Sequence, residues 1–91
     1  MVGLTTKIIN ISIDGIPRKD PIIISWIQDY LRRSYRLNDT YLHYTGDITH
    51  YYSVVNPPRL LAFCGDKLIA DMGMHKFKQF CRNEYKGRIH K

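Results

Sequence analysis

Cysteine is scarce in this chain, and its two copies stand far apart. Cys64 and Cys81 are separated by 17 positions, and there is no second pair. A disulfide scaffold and a four-cysteine zinc site both need more thiols than this, so the composition excludes them. We therefore expect two free thiols in a reducing cytoplasm.

Long apolar runs are also missing. A membrane-spanning helix requires a stretch of about 18 or more apolar residues, and the sequence contains none. The first residues, Met-Val-Gly-Leu-Thr-Thr-Lys, lack the charged-then-apolar layout of a secretory signal. Apolar residues nonetheless make up 44% of the 91 positions, which is enough for folding. We expect a single intracellular domain, residues 1–91, with no membrane partner.

The sequence has few marks of an enzyme. It contains no glycine-rich phosphate loop, no pair of carboxylates at a catalytic spacing and no evident nucleophile, and we predict no cofactor. The exception is a histidine pair. If Gly46-Asp47 is a two-residue hairpin loop, His43 faces His50, with Cβ atoms about 5 Å apart. Two imidazoles could share a metal or cleave RNA as acid and base. Because no third ligand is fixed, we favour a surface polar pair and assign no metal site.

What the chain does have is positive charge at one end. From His75 to Lys91 there are six lysines or arginines against one glutamate, a net charge of +5. In the first 74 residues eight basic and seven acidic side chains nearly cancel, so most of the formal net charge of +6 lies in the last 17 residues. Such a local basic patch attracts phosphate or an acidic protein surface.

The strongest pattern in the sequence is an amphipathic helix within residues 20–37. Apolar residues recur at i, i+3, i+4, i+7 and i+8, the spacing of one buried face. They are Ile23, Trp26, Ile27, Tyr30 and Leu31. Asp20 is placed to cap the first free amides, and Pro21 suits the first helical position because its missing N–H would be unpaired there. We expect the rest of the chain to pack around this helix.

Alternation of apolar residues, or an excess of Tyr, Thr and Val, predicts five strands, over residues 7–13, 40–45, 48–55, 59–64 and 67–72. A second helix is predicted over residues 74–86. The order β-α-β-β-β-β-α indicates an α+β fold with a single antiparallel sheet of about five strands and both helices packed on one face.

The last predicted hairpin has a Gly-Asp pair at positions 65 and 66. This pair suits a two-residue turn with a positive φ at its first residue. With that turn, Phe63 faces Leu68 and Leu61 faces Ala70, which predicts one apolar face of the sheet.

The leading candidate site is a basic row on the second helix. Its members are spaced i, i+3, i+7 and i+11, so they lie along one stripe of the helix: His75, Lys78, Arg82 and Lys86. Arg88 and Lys91 continue the charge in a short tail, residues 87–91. Nucleic acid favours this arrangement because each neutralised phosphate releases counterions. The alternative is a helix face that is merely solvated.

Tyrosine is abundant, with seven copies. Alternation places Tyr44 and Tyr51 on one face of the sheet and Tyr41 and Tyr52 on the other. Exposed strand tyrosines can stack on unpaired bases or anchor a protein interface. We take Tyr44 and Tyr51 as candidate contacts and expect one of the two sets to be core.

From the first helix onward the chain resembles the double-stranded RNA-binding domain. The residues that carry the resemblance are Asp20-Pro21 at the helix start, Tyr41, Gly46 with His50 after it, Gly73 before Lys76 and Lys78, and the spacing of Phe77, Phe80 and Cys81. The chain departs from that family in lacking its paired lysines, in having Phe where Ala is usual and in adding a strand. Its element order, with a histidine following a glycine, is also similar to small RNA-cleaving toxins of the HicA type.

These observations predict a small nucleic-acid-binding domain that contacts backbone phosphates, RNA before DNA, through its C-terminal helix and tail. The alternative is a small inhibitor, of the kind phages and viruses encode, that blocks an acidic or nucleic-acid-binding host protein. A ribonuclease that uses His43 and His50 is the third interpretation, and a binding protein is favoured over an enzyme.

Overall fold

The computed structural model describes residues 11–34 and 47–85. Within them the order is helix α1 (Pro21–Ser34), strands β1 (His50–Val55), β2 (Pro58–Cys64) and β3 (Lys67–Gly73), and helix α2 (Met74–Glu84). The three strands form an antiparallel sheet in the order β1-β2-β3. The fold is therefore α+β, as predicted at the level of class.

Helix α1 has the buried face that its spacing predicted. The five apolar residues named above are at most 3% exposed, and Ile27 is completely buried. The Oδ1 atom of Asp20 accepts a hydrogen bond from the Ile22 amide at 2.9 Å, which confirms the predicted cap. Residues 35–37 of the predicted helix lie outside the described part of the chain.

The hairpin between β2 and β3 confirms the predicted turn but only part of the predicted register. Gly65 has a φ of +62°, and Phe63 faces Leu68. The pairing of Leu61 with Ala70 is wrong, because the register shifts by one residue between Ala62 and Phe63, so that Ala62 faces Ala70. The shift is a β-bulge, which places one extra residue on β3.

The predicted apolar face of the sheet is also the wrong one. Leu61 and Phe63 are only half-buried, whereas Leu60 and Ala62 are fully buried. The side of the sheet that carries Leu60 and Ala62, its inner face, is turned toward the helices. Its buried residues form one hydrophobic cluster with the buried residues of α1 and α2. Both helices thus contribute to a single hydrophobic core together with one side of the sheet.

The free edge of β1 is occupied by the loop before α1. Arg18 and Tyr51 exchange two backbone hydrogen bonds, and the Gly15 amide donates to the Ser53 carbonyl. The predicted hairpin would pair residues 48–55 with residues 40–45. Residues 40–45 themselves lie outside the described residues.

The predicted count of five strands is not confirmed, because one predicted strand lies wholly and another partly outside the described residues. Of the first predicted strand, residues 7–10 are not described and residues 11–13 are not part of a strand. Three strands are present within residues 47–85, and the first described element is α1.

The two helices meet through aromatic rings. The Trp26 and Tyr85 rings stack with centroids 4.4 Å apart, and Tyr30 makes edge contacts with Phe77 and Phe80. Burial of apolar surface between these rings, worth about 25 cal/mol of free energy per Å², holds the helices together.

Candidate nucleic-acid interface

Helix α2 presents part of the predicted basic row because its other side is fixed in the core. Met74, Phe77 and Cys81 are buried. That orientation leaves His75 and Arg82 exposed and Lys78 half-buried, with its stem against the protein. Lys86, Arg88 and Lys91 lie outside the described residues.

The cations of the row differ from those of α1 in their surroundings. In α1, Arg32 is bonded to Asp29 and Arg33 to Glu84 of α2. The bond and charge of Glu84 raise the pKa of Arg33. For Lys78 and Arg82, the residues that the structure describes supply no acidic partner within salt-bridge distance.

The electrostatics at the start of α2 also favour an anion. The first turn contains no acidic residue, and Gly73 at the N-cap has no side chain to bond the free amides. The positive end of the helix dipole therefore lies beside His75. Glu84 is the only acid of α2, and its bond to Arg33 holds it at the opposite end of the helix.

A small apolar pocket adjoins the row. Its volume is about 170 Å³, and it lies where the β1–β2 turn, the start of α2 and the segment before α1 meet. Two members of the basic row are among its lining residues, which are Ile11, Ser12, Ser53, Val54, Val55, Pro58, Met74, His75 and Lys78. No sequence pattern indicated this pocket, because its walls come from three separate parts of the chain.

The tyrosine candidates do not join the row. Tyr51 is 1% exposed, and burial raises the pKa of its hydroxyl to about 12. Its ring is therefore part of the core and is not available for stacking on a base. Tyr44 lies outside the described residues.

The rings of His50, Tyr52 and Phe63 form a group on the outer face of the sheet that the sequence did not predict. His50 and Phe63 face each other on β1 and β2, and their rings are nearly parallel with centroids 5.2 Å apart. Tyr52 makes edge contacts with both rings. Alternation from a buried Tyr51 would have placed these rings outside, but alternation alone does not tell which face is buried.

The described residues give no further support for a catalytic or metal site built on His43 and His50. His50 shares a 2.9 Å hydrogen bond with the Thr49 hydroxyl, and His43 is outside the described residues. Within 11–34 and 47–85 there is no group of three or more metal-ligating side chains. Over the same ranges no helix has the length and apolar character needed to cross a membrane.

The two thiols are both free. Cys81 lies buried on the inner side of α2, and burial raises its pKa to about 12. Cys64 is half-buried at the end of β2. This agrees with the predicted pair of free cysteines.

Comparison of the chain with models of known families, with curated proteins and with solved structures finds no significant match.

Proposed function

We propose that this protein binds nucleic acid through backbone phosphates, with RNA before DNA, and that the outer side of α2 is the contact surface. The observation that carries the proposal is that Lys78 and Arg82 point outward and have no acidic partner in the described chain. The order RNA before DNA rests on the resemblance to the double-stranded RNA-binding domain.

The dimensions of the row suit this role. His75 and Arg82 are seven residues apart, which corresponds to about 10 Å along a helix. That is roughly the axial rise of three nucleotides in one strand of a duplex. Lys78 and Arg82 would each contact a phosphate, and the sequence continues the charge through Lys86, Arg88 and Lys91.

Salt dependence tests the proposal. We expect affinity for a random oligonucleotide to fall steeply with salt, since each phosphate contact contributes a slope of about −0.9. Lys78→Gln combined with Arg82→Gln should flatten that slope by about 2. Lys19→Gln combined with Lys67→Gln removes the same charge from exposed positions outside α2 and should change the slope much less.

Two results would contradict the proposal. If the wild-type protein does not bind at low salt, phosphate recognition is wrong. If both double variants lose affinity equally, the effect reflects total charge, and α2 is not the contact surface.

The second candidate function is an inhibitor that binds a nucleic-acid-binding host protein. The observation that favours it is the half-buried aromatic group of His50, Tyr52 and Phe63 on the face of the sheet away from the helices, because aromatic residues are enriched in protein interfaces. This function predicts tight binding to one protein and no steep salt dependence with a random oligonucleotide.

A further inference from the structure

We propose that the pocket beside the basic row receives one unstacked nucleobase, so that the preferred ligand is single-stranded where it meets α2. This inference rests on the proposed function and adds the form of nucleic acid that is bound. It comes from the size of the pocket, the chemistry of its walls and the charges that line it.

The size of the pocket limits what it accepts. Its volume of about 170 Å³ is below the roughly 300 Å³ at which sites for drug-sized ligands begin. A single planar ring system is therefore a better match than a large cofactor. The pocket is also too small for a protein helix.

The walls of the pocket suit the flat face of a ring. Val54 and Val55 on β1, Pro58 on β2 and Met74 on α2 supply apolar surface. Val55 is 54% exposed, which is unusual for a strand valine beside a core and leaves apolar area for a ligand to cover. Methionine adapts its shape and makes favourable contacts with aromatic rings.

Charge distinguishes a nucleotide from a purely apolar ligand. His75 and Lys78 line the pocket and also belong to the basic row. A nucleotide joins a flat ring to an anionic phosphate by a short sugar linker, so its base can enter the pocket while its phosphate meets Lys78. One nucleotide can thus pair its phosphate with the Lys78 ammonium group and cover the apolar walls with its base.

The pocket offers little basis for choosing among bases. The Ser53 hydroxyl, its buried polar group, already donates to the Ile13 carbonyl at 3.0 Å. Recognition would then come from packing of the ring against the apolar walls and from its burial, which do not distinguish one base from another. In a duplex the bases are paired and stacked, and a base would first have to leave the helix to enter.

The test compares three ligands that carry similar phosphates: a short polyuridylate, an abasic strand of the same length and an RNA duplex. We expect wild-type protein to bind polyuridylate roughly 10- to 150-fold more tightly than the abasic strand, the range expected from burying one apolar group of this size. Val55→Gln should remove most of this difference and leave affinity for the abasic strand and the duplex unchanged.

The matched control is Ile16→Gln. Ile16 is 51% exposed and does not line the pocket, so the same kind of substitution there should keep the preference for polyuridylate. Circular dichroism and a denaturant melt would verify that both variants are folded.

The outcomes separate this inference from the proposed function. Equal, salt-dependent binding of polyuridylate and the abasic strand by wild type would overturn the base pocket and keep phosphate binding. A loss on all three ligands with folded Val55→Gln would also overturn it, because Val55 would then support the phosphate contact instead. No binding of any ligand would overturn both.

Discussion

The two helices resemble each other in pattern and differ in what surrounds their charges. Each has one apolar side in the shared core and basic residues on the side away from it. In α1 the described cations Arg32 and Arg33 are bonded to Asp29 and Glu84. In α2, Lys78 and Arg82 have no such partner among the residues that the structure describes.

We infer from this difference that the pairing of cations, more than their number, determines which helix surface is open to an anionic ligand. A cation that already contacts a carboxylate must give up that bond before it meets a phosphate. Exposed ion pairs contribute little to stability, about 0–1 kcal/mol each. If α2 binds phosphate as proposed, we expect α1 to attract it less strongly despite its arginines, because those arginines are paired.

The largest expected effect concerns the side on which the helices are alike. Ile27 of α1 and Phe77 of α2 are both completely buried. Ile27→Ala should cost about 2–5 kcal/mol and Phe77→Ala about 3–5 kcal/mol, because each leaves a cavity in a packed core. Denaturant melts would measure the losses. Gln79→Ala, at an exposed position of α2, is the control and should change stability by less than about 0.5 kcal/mol.

The same melts test whether the core holds α2 as firmly as it holds α1. If Ile27→Ala were costly and Phe77→Ala were not, α2 would not be held in the core as α1 is. The outward orientation of the basic row would then lose its structural reason.

The next effect is on thiol chemistry at the inner side of α2. A pKa of about 12 for Cys81 leaves roughly one thiol in ten thousand ionised at pH 8, and the thiolate is the reactive form. We expect Cys64 to react with an aromatic disulfide reagent at least about 100-fold faster than Cys81 in folded protein. Mass spectrometry of single-cysteine variants would assign the rates, and equal rates in folded protein would contradict the packing of α2.

The sequence predicted the parts of the fold that depend on local spacing. The buried face of α1, the Asp20 cap and the turn at Gly65 all follow from residues that are close together in the sequence. The sequence did not indicate which face of the sheet is buried, because both faces of β2 carry apolar residues. The pair Leu61 and Phe63 is bulkier than Leu60 and Ala62, yet the smaller pair is buried.

Contacts between distant residues could not be predicted in the same way. The bulge that moves Ala70 opposite Ala62 and the bonding of Tyr51 to Arg18 depend on the whole assembly. The partner of Glu84 is Arg33, 51 positions earlier. The positions of His75, Lys78 and Arg82 on α2 were therefore predictable from helical spacing. The lack of an acidic partner for Lys78 and Arg82 within the described residues and the pocket beside them were not.

A smaller effect tests the role of pairing directly. Asp29 and Arg32 are three residues apart on α1, and Gln79→Glu would give Arg82 an acid at the same spacing on α2. We expect this change to weaken oligonucleotide binding severalfold and to reduce the salt slope by about 1, because one cation becomes neutralised. Fluorescence anisotropy over a range of salt concentrations would measure both.

The control for this experiment is the same substitution on the other helix. Gln28→Glu places an acid on α1, four residues before Arg32, and adds the same charge to the protein. It should weaken binding much less, since the α1 arginines are already paired. Equal effects from the two variants would mean that binding senses total charge and that the contrast between the helices has no functional consequence.

The smallest expected effect concerns the contribution of the Asp29 carboxylate of α1 to stability. Asp29 accepts a hydrogen bond from the Tyr85 hydroxyl and another from Arg32. The Tyr85 bond is the main cause that lowers the pKa of Asp29, and partial burial opposes it. A lowered pKa in the folded state means that Asp29 contributes stability above its unfolded pKa of about 3.9 and loses that contribution as pH falls through the folded value.

Asp29→Asn should therefore lower the free energy of unfolding at pH 7 by about 1 kcal/mol, the size of a modest hydrogen bond to a charged group at a partly exposed site. The difference from wild type should shrink below about pH 4 and vanish once the folded carboxyl is protonated. Urea melts at several pH values would follow it, with Asp66→Asn at the exposed β2–β3 turn as the control. A difference that stays constant with pH would show that Asn at position 29 acts through packing, and that the ionised Asp29 carboxylate does not hold Tyr85 and the end of α2 against α1.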